Sequence, residues 1–382
     1  MIGFIQKSAE HAITELLSRA DIKVNGNRPW DITVHNRDFF DRVMACGSLA
    51  LGESYMDGWW DCEALDHFFF KLLREKITSR EKINPPLILN HLKARLLNCQ
   101  SRRRAYEVGE KHYDIGNDLF ELMLDDHMAY SCGYWKDADN LDAAQEAKLD
   151  LICRKLRLVP GMKVLDIGCG WGSFVRYAAR NYGVEAVGIT ISREQAKTAR
   201  ERCAGLPVEI RLQDYREVGE RYDAVVSVGM FEHVGYKNYR TFMQVVRSCL
   251  SDDGLFLLHT IASNKSVRHC DPWFNKYIFP NGMLPSIKQI GDAVEKIFVM
   301  EDWHNFGIYY DRTLMAWYEN FHRHWPQLKE KYGERFYRMW RYYLMSLAGG
   351  FRARHIQVWQ IVLSPNGVIG GYPSLRCRDC VE

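Results

Sequence analysis

Val164-Leu165-Asp166-Ile167-Gly168-Cys169-Gly170-Trp171-Gly172 is the stretch on which the reading of the fold turns. A short apolar run ends in a GxGxG turn, and residues 174–181 then follow helical spacing, so a strand, a glycine turn and a helix succeed one another. Glycines in such a turn adopt backbone conformations that a Cβ resists, and they let the main chain approach a ligand closely. In open α/β sheets ligands bind outside the carboxyl ends of parallel strands, so the turn marks a binding crevice.

Outward from this turn the chain alternates. Residues 186–190, 208–212, 224–228 and 255–260 read as further strands, with a helix at 193–203. Two more strands are expected at 297–301 and 356–363, separated by long helical segments rich in aromatics. The pattern predicts an α/β fold over residues 105–382: a Rossmann-like, seven-stranded domain whose last two strands pair antiparallel, with a helical insertion as a cap.

Residues 1–104 differ in character. A short amphipathic helix is expected at 11–19, a hairpin around Asn25-Gly26 over 22–34, a turn-rich aromatic stretch at 52–60 and a helix at 65–73, together a small N-terminal α+β domain. Asn84-Pro85-Pro86 then breaks the pattern. Beyond it Ile88, Leu89, Leu92 and Leu96 recur at helical spacing beside His91, Lys93, Arg95, Arg102, Arg103 and Arg104. An apolar stripe with a basic companion face suits the surface of an anionic membrane; an interdomain helix with solvated arginines fits the same residues.

Composition narrows the class. The 382 residues are 47% hydrophobic and 26% charged, an ordinary globular balance, and a net charge of +3 is too small to argue for nucleic acid. No apolar run approaches the roughly 20 residues that span a bilayer. Eleven cysteines at irregular spacing, without a signal-peptide pattern, point to reduced thiols in the cytoplasm. Cys377 and Cys380 have CxxC spacing but no partner pair, so they read as incidental rather than as a metal site.

The crevice implies a particular cofactor. The third glycine comes one residue too early for the dinucleotide pattern GxGxxG. Asp166, just before the turn, is typical of the first methyltransferase motif, and Asp214, with Gln213 and Tyr215 beside it, follows the third strand where such enzymes hold adenine. The second strand ends without the usual ribose-binding acid, leaving Thr190 and Gln195 for that task. S-adenosyl-L-methionine is therefore expected in preference to NAD, bound by Asp166, Gly168, Gly170, Trp171 and Gly172 as well.

Thr190-Ile191-Ser192 with Gln195 resembles the TxS…Q segment of the cyclopropane fatty acid synthases, and Val228 through Gly235 (VGMFEHVG) matches that family too. So do Lys111 through Asn117 (KHYDIGN), Tyr130 through Trp135 (YSCGYW), Asp271-Pro272-Trp273, Tyr277 through Gly282, Glu301 through Gly307 and the GESYMDGWW stretch. The resemblance covers almost the whole chain and is to the phospholipid-modifying branch, which carries an extra N-terminal domain.

It implies transfer of a methylene group from S-adenosylmethionine to the cis double bond of an unsaturated phospholipid chain, through methyl transfer, a carbocation and removal of a proton by bound bicarbonate. It implies a bicarbonate cradle of Glu232, His259 and Tyr310 through side chains, with backbone groups of Cys132 and Ile261. Tyr113, Tyr130 and Ser131 would close over the methionine end of the cofactor. It further implies a homodimer at the inner face of a membrane. Two of these placements stand on the residues themselves: Glu232 follows the fourth strand and His259 ends the fifth, so both should reach one crevice. Methyl transfer from a sulfonium needs no covalent enzyme intermediate, so Cys132 is not read as a nucleophile. Tyr309, Tyr310, Trp303 and Phe279 are candidates for an aromatic lining, with core packing as the competing reading. Two other functions are open: a methyltransferase giving a methyl-branched or methylene product, which no motif separates cleanly from the synthase, and a membrane-surface lipid-binding protein with a decayed catalytic domain, against which the intact glycine turn, Glu232, His259 and Tyr310 argue.

Overall fold

The structure, a computed structural model, describes residues 2–75 and 116–375. Two short strands, β1 (Thr33–Val34) and β2 (Trp60–Asp61), pair antiparallel. Seven more build the main sheet: β3 (Lys163–Ile167), β4 (Glu185–Thr190), β5 (Val208–Leu212), β6 (Tyr222–Val228), β7 (Leu250–Ser263), β8 (Val299–Asn305) and β9 (Ile356–Ser364). Their order is β5-β4-β3-β6-β7-β9-β8. β3, β4, β5, β6 and β7 pair in parallel, and β8 pairs antiparallel with β9. The expected seven-stranded α/β sheet is present.

The sequence explains these strands. The last four residues of β3 and all nine of β9 are buried, and a strand covered on both faces reads as an apolar run without alternation. β8 lies at the sheet edge and leaves Val299 and Met300 exposed. It runs to Asn305, beyond the expected 301, because its polar residues pair along β9, with Asp302 opposite Val362 and His304 opposite Gln360. One face of the sheet packs Phe242, Met243, Val246 and Ile290. The other packs Leu149, Ile152, Val175, Ala178, Ala196 and Ala199. Chain order reverses at β3, with β4 and β5 to one side and β6 and β7 to the other. That switch point is where a crevice opens beyond the strand ends.

The described residues form two compact units that interleave in sequence. One contains 2–75, Arg268–Pro280 and Leu314–Ile356; the other contains 116–267, Asn281–Thr313 and 357–375. The helix Glu334–Arg352, expected in a cap, thus belongs with the N-terminal helices. A Cβ on Gly349 would lie 2.5 Å from the carbonyl of Asp66, so this helix packs on Leu65–Arg74 with their backbones nearly touching. The boundary expected at 104/105, the Pro85-Pro86 break and the basic helix lie outside the described residues.

Two N-terminal expectations are corrected. Residues 22–34 do not form a two-stranded hairpin. The loop closes around the Asp31 carboxylate, which accepts from the amides of Lys23 and Arg28 at 2.8 and 3.1 Å, while β1 pairs with β2. Residues 52–56 are not turn but the end of the helix Asp38–Met56. Gly52 is in that helix because a Cβ there would come within 2.3 Å of the Trp273 indole.

Candidate active site

The glycine turn leaves β3 with Gly168, Gly170 and Gly172 at φ +88°, +55° and +83°. The amides of Gly168 and Cys169 both donate to the carbonyl of Ile189, at 2.9 and 3.0 Å, which ties the turn to β4. A Cβ on Gly168 would lie 2.6 Å from Cγ of Met230, whereas one on Gly170 would meet nothing within 4 Å. The turn is therefore packed at its start and open at its middle. Asp166 is buried and its Oδ1 has no hydrogen-bond partner. Burial pushes its carboxyl up to about 7, against the pull of the Lys148 ammonium. An unpartnered buried oxygen beside open main chain fits a polar ligand that donates hydrogen bonds, as the amino-acid end of S-adenosylmethionine does.

The next two strand ends converge on the same crevice. At β4 the Thr190 hydroxyl donates to Oε1 of Gln195 at 2.9 Å, and Ser192 caps the helix Arg193–Arg202 through the Gln195 amide. Thr190 and Gln195 are thus brought together, with the Gln195 side-chain NH2 left to donate. At β5 the Gln213 amide donates to the Thr190 carbonyl at 3.0 Å. The Asp214 carboxylate accepts from Arg216 Nη2 and Nε at 2.7 and 2.8 Å and from its amide at 2.9 Å. This ion pair, which sequence reasoning missed, leaves Asp214 with part of its acceptor capacity for a ligand. The Tyr215 ring lies against Phe242 at 5.2 Å.

Over the turn, Trp171 Nε1 donates to Oδ1 of Asn117, whose amide donates to Thr198. Phe120 packs between Tyr130 and Trp171 at 5.1 and 4.8 Å. Tyr113 lies outside the described residues.

A second cluster forms where β6 ends beside β7, Val228 opposite His259, with β7 running on to Ser263 rather than stopping at His259 as expected. Glu232, in the single turn Phe231–His233, accepts the Ile261 amide on Oε1 at 2.6 Å, while Oε2 has no partner. Burial lifts this carboxyl to about 7, opposed by the Ile261 amide. His259 is buried, and burial first, then the cations of Lys148 and Lys155, hold it well below the usual imidazole range, hence neutral. Its Nδ1 stands 3.4 Å from Nε2 of Gln360. The ring meets Phe306 edge-on at 5.7 Å, and Phe306 in turn meets Tyr134 at 5.5 Å.

The loop 129–135 is fastened to both neighbours. Thr313 accepts from the Gly133 amide at 3.1 Å and from Trp135 Nε1 at 2.8 Å, three residues after Tyr310 in the helix Ile308–Tyr332. Tyr310 is buried. Cys132 is fully enclosed, and burial pushes its thiol far up, so no thiolate forms. Gln145 donates to the carbonyls of Ala129 and Ser131, and Lys148 to the Ser131 hydroxyl.

Of the expected cradle, Glu232 and Ile261 touch, His259 shares their strand ends, and Cys132 is linked to the helix of Tyr310. The Ile261 N–H is engaged by Glu232, and its carbonyl accepts from Thr260 at 3.0 Å. Among the aromatic candidates, Tyr309 faces Tyr134 at 5.4 Å. Trp303 packs on Trp359 in the sheet core, and Phe279 lies in the other compact unit against Tyr343.

This strand order, with a glycine turn after the central strand and an acid before it, defines a class I S-adenosylmethionine-dependent methyltransferase. A family model described as mycolic acid cyclopropane synthetase matches residues 100–361, and the chain belongs to that family. It is 59% identical over 357 residues, 94% of this chain and 93% of the other, to the cyclopropane-fatty-acyl-phospholipid synthase of Escherichia coli strain K12. Among solved structures, the cyclopropane synthase MmaA2 from Mycobacterium tuberculosis is 32% identical with a TM-score of 0.63, the alignment covering 68% of this chain and 97% of that one. The mycolic acid cyclopropane synthase CmaA1 complexed with SAH and CTAB is 31% identical with the same TM-score, 0.63, and the same coverage, 68% and 97%.

Proposed function

We propose that this chain converts a cis double bond in an unsaturated phospholipid acyl chain into a cyclopropane ring. When bound, S-adenosylmethionine supplies an electrophilic methyl group on a sulfonium. The crevice at the ends of β3, β4 and β5 holds the donor through the glycine turn, Asp166, Thr190, Gln195 and Asp214. An alkene is a weak nucleophile, and holding it in line with the methyl group lowers the barrier by up to roughly 7–11 kcal/mol. The Tyr134, Phe306 and Tyr309 rings line the approach, and aromatic faces stabilise a passing carbocation by about 0.5–2 kcal/mol each.

The observation that carries the reading is the pair of buried titratable groups at the end of β6, Glu232 just after it and His259 beside it on β7. Glu232 has a carboxyl near neutrality with one oxygen unpartnered, and His259 is neutral. A carboxyl that changes charge near pH 7 is suited to proton transfer. In its neutral form Oε2 would donate to a small anion, so the residues fit bicarbonate, with Tyr310 and the Cys132 backbone as further contacts. Held there by Glu232, His259 and Tyr310, bicarbonate would supply the base for the proton lost from the new methyl group.

By the same reading the protein works as a homodimer at the cytoplasmic face of an anionic membrane. No helix among the described residues is long and apolar enough to cross one. Incubation with methyl-labelled S-adenosylmethionine and unsaturated phospholipid vesicles tests the reaction. Label in cyclopropane chains is expected. Label in a methyl-branched chain would retain the donor and change the second half of the mechanism, and bound cofactor with no labelled lipid would overturn the substrate.

A further inference from the structure

Lys148 takes no part in the proposed reaction, although its charge acts on Asp166 and His259, and it is enclosed in the interior at 1% exposed. It lies on the helix Leu141–Lys155, in line with Leu141, Gln145, Ile152 and Lys155, all buried. Its Nζ donates to Oγ of Ser131 at 2.9 Å. The backbone around Ser131 is fixed by neighbours of the same kind. Gln145 Nε2 takes the carbonyls of Ala129 and Ser131 at 3.2 and 2.8 Å, and the Asp125 carboxylate takes the amides of His127 and Ala129, both at 2.9 Å.

A buried ammonium is costly unless it serves a placed acceptor. A serine hydroxyl has one hydrogen and accepts through its oxygen, so an Oγ that accepts from Lys148 keeps its own hydrogen for another acceptor. The Ser131 Cβ stands 3.9 Å from the place a Cβ would take on Gly229, the residue after β6, so the hydroxyl belongs to the strand-end crevice. Its charged donor makes it a stronger donor in turn.

We infer that Lys148 is a positioning residue that fixes the Ser131 hydroxyl as a donor toward an oxyanion in the crevice, either the amino-acid carboxylate of the methyl donor or free bicarbonate. The inference rests on the proposed methyl-transfer function and adds to it a residue that touches neither ligand.

Calorimetric titration of the whole protein with S-adenosylhomocysteine and with 5′-methylthioadenosine, which lacks the carboxylate, tests it. The variants are Lys148→Met and Ser131→Ala, with folding checked by circular dichroism. If the donor's carboxylate is the acceptor, both variants weaken S-adenosylhomocysteine by about tenfold and methylthioadenosine by less than about twofold, the size of one charge-assisted hydrogen bond. If bicarbonate is the acceptor, both nucleosides bind as before and the bicarbonate concentration giving half-maximal turnover rises by about tenfold. Should Lys148→Met fail to fold, Lys148→Gln, which keeps an N–H donor for Ser131 without the charge, replaces it in the same three measurements. Unchanged values in all three measurements, or equal weakening of both nucleosides, overturn the role of Lys148. Failure of the unaltered protein to bind S-adenosylhomocysteine overturns the function itself, and the inference with it.

Discussion

Replacing Glu232 by glutamine should make the protein more stable and nearly inactive. The buried carboxyl titrates at about 7 in place of its ordinary 4.5. With a folded-state pKa above the unfolded one, its contribution to stability is complete below pH 4.5, falls as pH rises toward 7, and stays lost above that. The interval from 4.5 to about 7, at about 1.4 kcal/mol per pH unit, corresponds to about 3 kcal/mol. Glutamine keeps an oxygen for the Ile261 amide, bonded at 2.6 Å in the parent, and has no charge to bury. Urea unfolding at pH 8 should therefore show Glu232→Gln more stable than the parent by about 2–3 kcal/mol, narrowing to about 1 kcal/mol or less at pH 5. Turnover at pH 8 should fall by about 10²–10⁴, the usual contribution of a general acid or base. A variant no more stable than the parent at pH 8 would refute the account of the buried carboxyl. Turnover within about tenfold of the parent would remove Glu232 from proton handling.

His259→Ala should reduce turnover by a similar factor, about 10²–10⁴, while S-adenosylhomocysteine binding measured by calorimetry stays within about threefold. Cys132→Ala should retain turnover within about threefold of the parent, because a buried thiol pushed far up in pKa is not a nucleophile; a loss beyond about a hundredfold would make it a reactant. Gly168→Ala places a Cβ 2.6 Å from the Met230 side chain at φ +88°, and should cost about 1–3 kcal/mol in urea unfolding and weaken S-adenosylhomocysteine. Asp302→Asn leaves the wholly buried Lys155 without the carboxylate now 3.4 Å away, and should destabilise the protein by about 3–5 kcal/mol, with Lys155→Met in the same chain restoring much of the loss.

The residues that resisted sequence reading share one physical cause: contacts between segments distant in the chain decided their roles. The sheet was legible because buried parallel strands announce themselves as apolar runs, and Glu232 and His259 were legible because one stands just past such a run and the other within the next. Lys148 and Lys155 drew no reading from the sequence, although both fall in line with Leu141 and Ile152; a charge at a stripe position was the signal available. Gly52 looked like a turn residue because the indole that requires it comes from Trp273, more than two hundred positions away. Asp214 was legible as a cofactor residue but its ion pair was not, because nothing in Asp-Tyr-Arg says that Arg216 folds back onto it. The interleaving of the compact units escaped for the same reason, since the pieces at 268–280 and 314–356 join residues 2–75 through contacts between residues more than two hundred positions apart, such as Lys276 with Glu53 and Arg352 with Asp66. Where a side chain's work is set by its neighbours along the chain the sequence displays it; where the partner is supplied by tertiary contact, an inward-facing charge is the only trace left, and at Lys148 that trace leads back to Ser131.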